Sequence, residues 1–138
     1  MKKRYVLIAG MLLFAYVLMA QESLIGEWHL QELTMEDLDK QDVISGEQLK
    51  EDGTVWIMRF ADDGSFYQKS NFNAASRMDE MEGTWKTEPG DKLTIFLLIN
   101  GQKRPLQFFY GFKDGAMILE RYDQLRSYRM VTVFRKKE

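Results

Sequence analysis

The chain of 138 residues contains no cysteine. That excludes disulfide staples, thiolate catalysis and thiolate metal sites, so its fold is held together by its core alone. Histidine occurs once, at His29. It follows Trp28 directly and therefore points to the opposite face of a strand, where it makes neither a catalytic triad nor a metal site. No phosphate-cradling glycine loop is present. Glu36, Asp37, Asp39 and Asp42 lack the spacing and the glycine of a calcium loop and read as a solvated acidic segment. No carboxylate pair for glycoside hydrolysis stands out among so many surface acids. This thin acid, base and nucleophile inventory argues against an enzyme and calls for no cofactor.

Acidic residues are also missing from the first 20 positions. Lys2, Lys3 and Arg4 precede an uncharged apolar stretch at 6–19, and Ala20 offers a cleavage position. The stretch falls short of the ~20 residues a bilayer-spanning helix needs. The expectation is a signal peptide helix over 1–20, a single mature domain over 21–138, no membrane span after cleavage, and a periplasmic or secreted location. Leu18-Met19-Ala20 is not an ideal small-X-small site, and an uncleaved anchor is the alternative. With no cysteine to follow, a lipoprotein anchor is excluded. The chain beyond Ala20 keeps 16 basic and all 21 acidic residues, a net charge of −5. Such a balance argues against nucleic acid and anionic membrane surfaces.

Beyond residue 20 the apolar residues recur at period two, the pattern of half-buried strands. Leu24, Gly26, Trp28 and Leu30 share one face of the first segment, and Trp56, Met58 and Phe60 one face of the second. Ser65 to Ser70 follows with Phe66 and Tyr67. Met81, Gly83, Trp85 and Thr87 come next, then Leu93 to Ile99, Leu106 to Phe112, Met117 to Tyr122 and Tyr128 to Arg135, eight segments in all. Asp63-Gly64, Asn100-Gly101 and Asp114-Gly115 are tight-hairpin dipeptides, and Pro89-Gly90 breaks the chain between the fourth and fifth segments. A two-residue turn at Asn100-Gly101 sets Ile95 opposite Leu106 and Leu93 opposite Phe108. One at Asp114-Gly115 sets Phe112 opposite Met117 and Tyr110 opposite Leu119. At Asp63-Gly64 the preferred pairing is Phe60 with Phe66. The two later hairpins agree on one interior face, as register requires. Eight hairpin-linked strands predict an all-β, antiparallel, up-and-down barrel whose closure removes exposed edges. The acidic insert at 35–53 predicts a loop with a short helical turn over one barrel end.

Several local motifs carry a resemblance. Leu24-Ile25-Gly26-Glu27-Trp28 opens the first strand, and Phe60-Ala61-Asp62-Asp63-Gly64-Ser65-Phe66 forms the second hairpin. Gly83-Thr84-Trp85 precedes Asp91-Lys92-Leu93-Thr94-Ile95, and Thr132-Val133-Phe134-Arg135 closes the last strand. In this order and spacing the chain resembles the lipocalin-like domains of exported bacterial proteins, within the calycin group. The resemblance implies an eight-stranded lipocalin-like barrel and a small hydrophobic ligand. The acidic insert is no part of that motif set.

Gly26 and Trp28 read as a barrel-end motif in which the glycine bends the chain and the indole plugs the end under a basic side chain, Arg135 or Arg129. Trp85 is either a second structural tryptophan or a cavity wall. The interior candidates are Trp56, Met58, Leu93, Ile95, Leu97, Phe108, Tyr110 and Leu119. A barrel of eight strands is either filled by such residues or left with room for one small ligand. Arg121 shares a face with Tyr110 and Leu119. An inward arginine is costly unless paired, so it meets an anionic head group, or else reaches solvent or Asp123 at the strand end. The leading expectation is a carrier of a small hydrophobic or anionic amphipathic molecule. The other is a filled barrel that docks on an envelope protein through its acidic insert.

Overall fold

The computed structural model describes residues 24–37, 39–72, 77–123 and 127–138. The signal peptide reading of 1–20 lies outside them. Strands β1 (Gly26–Glu36), β2 (Gln41–Ile44), β3 (Trp56–Phe60), β4 (Ser65–Ser70), β5 (Asp79–Glu88), β6 (Lys92–Ile99), β7 (Gln102–Lys113), β8 (Ala116–Asp123) and β9 (Tyr128–Lys136) form one antiparallel sheet. β1 also pairs with β9, which closes β1 and β3 to β9 into an eight-stranded up-and-down barrel. That is the architecture the resemblance implies. No described helix is long and apolar enough to cross a membrane.

The hairpin registers follow the turn chemistry. Ile95 faces Leu106, Leu93 faces Phe108, Phe112 faces Met117, Tyr110 faces Leu119 and Phe60 faces Phe66. Asn100 and Asp114 hold φ of 52°, each before a glycine at positive φ, the backbone a two-residue hairpin turn needs.

The acidic insert is more ordered than a loop. Residues 33–36 of β1 pair with β2, and a short helix, α1 (Gly46–Glu51), follows with the Ser45 side chain capping its first turn. β3 pairs with β1 only from Gly26 to His29, so β2 takes over the same edge where β3 leaves it. Leu49, the buried residue of α1, anchors the helix beside the stretch that neither strand covers. A hollow of about 380 Å³ lies there, between Leu30, Gln31, Gly46, Leu49 and Thr54.

Strict alternation would set Leu30 and Leu33 on opposite faces. A register shift between Leu30 and Glu32 brings both inward, Leu30 against Phe134 and Leu33 against the buried Thr132. At the other end of β1, Gly26 has φ of +137°. A Cβ there would lie 2.4 Å from Lys136 Cε, so the missing side chain leaves room for Lys136 to cross over the Trp28 ring, 5.6 Å from its centroid. The cation on Trp28 is thus Lys136 and not Arg135. Register is the reason: Lys136 pairs with Trp28, whereas Arg135 pairs with His29 and donates to the Asp114 carbonyl. Arg129 sits at the far end of β9, bonded to Glu120 and Glu36.

On the outer wall Glu27 accepts from His29 and Arg59, both at 3.0 Å, and lies 3.5 Å from Lys137. The His29 and Arg59 hydrogen bonds, then Lys137, hold its carboxyl at about 2. A depressed carboxyl pKa adds stability above the unfolded value, and that stability is lost as pH falls toward the folded one. The partners are largely exposed, so about 1 kcal/mol is the expected scale. Thermal melts of wild type and Glu27→Gln should therefore differ at neutral pH and converge as pH drops from 4.5 toward 2. A gap that persists at the acid end would contradict this.

Candidate functional site

The barrel has two unlike ends. The lower one gathers the start of β1 and the β3–β4, β5–β6 and β7–β8 turns. There the Trp28 Nε1–H donates to the Leu24 carbonyl at 2.8 Å, and the Trp85 Nε1–H to the Ala61 carbonyl at 2.9 Å. Trp85 also stands edge-on to Phe60 at 5.5 Å, and Trp28 packs on Phe112 at 6.0 Å. Tyr110 belongs to this end too: its backbone N–H donates to the Asp91 carbonyl, and burial, then Asp91, pushes its hydroxyl pKa up. The plug therefore includes two of the interior candidates, Trp85 and Tyr110.

Met58, Leu93, Ile95, Phe108 and Leu119 fill the middle as contiguous core. With Met117 and Phe134 they exclude water from the lower and central barrel. Burial of this order, roughly 1.5–3 kcal/mol per large side chain, is what a chain without disulfides depends on.

The upper end gathers the β1–β2, β4–β5, β6–β7 and β8–β9 connections, and here the interior is polar as well as apolar. Leu97 is buried on β6. The Trp56 ring stands edge-on to Phe134 at 5.5 Å and stacks on Phe72 at 6.0 Å. Its Nε1–H is buried and has no hydrogen-bond partner among the described residues. An unmet buried donor costs about 1–3 kcal/mol, unlike the two satisfied indoles below. Gln68 lies in one row with Met58 and Met81, its amide 3.7 Å from the Met81 sulfur.

Arg121 shares the inward face of β8 with Met117 and Leu119, opposite Met130 of β9. It is half-buried. Its side chain makes no ion pair or hydrogen bond among the described residues. Arg129, on the outer face of the next strand, is tied to two carboxylates instead. The structure thus brings Trp56, Leu97 and Arg121 to the upper end. Sequence reasoning missed Leu33, Gln68 and Met130 there. Leu33 was hidden by the β1 bulge, while parity alone could have found Gln68 opposite Met58 and Met130 opposite Arg121.

No cluster of metal-ligating side chains occurs among the described residues.

The fold and this geometry define an all-β, antiparallel, closed up-and-down barrel with a plugged lower end and a polar upper interior. No family model matches the chain, and no curated protein matches its sequence. Among solved structures it is similar to two crystal structures of variants of the fluorescent protein UnaG. They are 14% and 13% identical with a TM-score of 0.44 each; the matches cover 83% and 85% of this chain and 96% and 98% of those chains. So low an identity and score say nothing of activity, and the barrel assignment rests on the strand pairings themselves.

Proposed function

We propose that this is an exported, lipocalin-like binding protein that holds a small anionic amphipathic molecule in the upper barrel and performs no reaction on it. The observation that carries the reading is Arg121, an inward guanidinium with no ion-pair partner among the described residues, above a core of apolar side chains. A carboxylate or similar head group would satisfy it by a two-pronged contact, and the tail would lie against Leu97, Trp56 and Met130. Shape and desolvation do the work. The basic and apolar N-terminal segment supports export to the periplasm or beyond.

The test uses dodecanoate and dodecanol, each displacing an environment-sensitive dye. In Arg121→Gln, dodecanoate affinity should fall roughly 10- to 100-fold, the scale of a lost charged hydrogen bond. Dodecanol affinity and the melting temperature should hold. Equal loss for both probes, or no loss for dodecanoate, would sink the head-group assignment. A second reading is favoured by how completely Met58, Ile95, Leu119 and Phe134 are buried: a filled barrel that docks on a protein partner through the acidic β1–β2 hairpin. It predicts no uptake of either probe.

A further inference from the structure

The exposed apolar side chains are distributed unevenly between the two ends. Nine large hydrophobic residues are exposed among the described ones, and seven belong to the upper end. Met35 and Val43 lie on the β1–β2 hairpin, Phe72 and Met78 lie between β4 and β5, and Leu98 and Ile99 precede the β6–β7 turn. Tyr122, 60% exposed, stands next to the last residue of β8. Every upper connection carries at least one. The lower turns are built instead on Asp62-Asp63-Gly64, Pro89-Gly90-Asp91 and Asp114-Gly115, with Phe112 and Phe109, the latter opposite the first residue of β6, as the exposed apolar residues nearby.

A scattering of single exposed hydrophobics needs no explanation, but a concentration of them at one end of a barrel marks a contact surface. These residues do not line a groove. They project from four separate connections around one rim, so a peptide or a single helix would reach only some of them. A flat, yielding apolar surface reaches all of them at once. The charges on the same rim are of both signs: Lys40, Lys103 and Arg104 stand with Glu36, Asp37 and Asp39. Mixed charge complements a headgroup that carries both a phosphate and an ammonium, and the acidic share resists a purely anionic surface.

We propose that the upper rim docks on the interfacial zone of a zwitterionic lipid bilayer, with Phe72, Met78 and Ile99 entering the headgroup–acyl boundary. The mouth of the barrel then opens toward the source of an amphipathic molecule. Docking goes beyond the binding function and does not depend on it, since a filled barrel would dock equally.

The test is flotation of the full chain with phosphatidylcholine vesicles. The triple variant Phe72→Ser, Met78→Ser, Ile99→Ser should lose roughly tenfold or more in partitioning. Phe109→Ser, which removes an exposed residue from the barrel wall, should stay within roughly twofold of wild type. Phosphatidylglycerol in the vesicles should weaken binding, and added salt should restore it. Melting of the triple variant checks that it is folded; the three residues are exposed and should leave it intact. Failure of wild type to float overturns the proposal, and so does equal flotation of the triple variant, which would assign lipid binding to the N-terminal apolar stretch. Tighter binding to anionic vesicles overturns the zwitterionic assignment. Dodecanoate uptake by the double variant Met78→Ser, Ile99→Ser, which leaves Phe72 stacked on Trp56, should match wild type, so a failure of the carrier reading is seen separately.

Discussion

Gly83→Ala is expected to prevent the barrel from closing. Gly83 pairs with Phe66 on one side and Leu97 on the other. A Cβ added there would lie 1.9 Å from the Phe96 carbonyl oxygen, 2.9 Å from its carbon and 3.2 Å from the Leu97 Cα. All three are backbone atoms, so no side chain can swing aside. β5 and β6 would have to part, breaking the ladder from Gly83 to Glu88 and pulling Trp85 from the Ala61 carbonyl. The cost should exceed about 3 kcal/mol, a large share of the ~5–15 kcal/mol that holds a typical domain. Gly111→Ala is the matched control. A Cβ at Gly111 meets nothing within 4 Å, and its φ is not positive. That variant should be neutral or gain up to about 1 kcal/mol through the unfolded chain. Urea midpoints and soluble yield separate the two. Wild-type stability in Gly83→Ala would show that β5 and β6 do not approach so closely.

The same glycine explains why the two Gly-X-Trp motifs could be read from sequence. Gly26 and Gly83 bracket one row across four strands, with Phe60 and Phe66 between them, ring centroids 5.1 Å apart. Aromatic rings cover the bare backbone of flanking glycines, and the row bends without losing its pairing. Turn dipeptides and period two were sufficient for the registers of β6 to β8, because a hairpin turn propagates its pairing along both strands. The same reasoning set Arg121 on the inward face. It failed where geometry is not local. The bulge in β1 carries no glycine or proline to announce it, and β2, four residues long, is too short to read as a strand within an acidic segment. Which basic residue crosses Trp28 depends on how β1 and β9, the two ends of the barrel, meet. Turn chemistry says nothing of that closure. Nor could composition reveal that Trp56, alone among three tryptophans, lacks an acceptor among the described residues. That follows only from packing.

Phe134→Ala should produce the largest loss of any single truncation in the core. The ring is fully buried between Leu30 and Met117, its paired neighbours, and it supports Trp56 edge-on at 5.5 Å. Removing it forfeits transfer energy and leaves a hole that a closed sheet cannot collapse around, about 3–5 kcal/mol together. For a domain of this length the melting temperature should fall by roughly 10–20 °C. Phe134→Leu keeps most of the volume and should cost less than about half as much. The hole opens beneath Trp56, so it extends the upper interior downward. If the carrier reading holds, alkanoates longer than dodecanoate should gain affinity relative to it at temperatures where Phe134→Ala is still folded. On the carrier reading Arg121→Gln should show the opposite division: melting preserved and dodecanoate affinity lowered roughly 10- to 100-fold. The two variants therefore separate the part of the barrel that holds the fold together from the part proposed to bind. An unchanged melting temperature in Phe134→Ala would place that ring outside the core, and the closure of β9 onto β1 would fall with it.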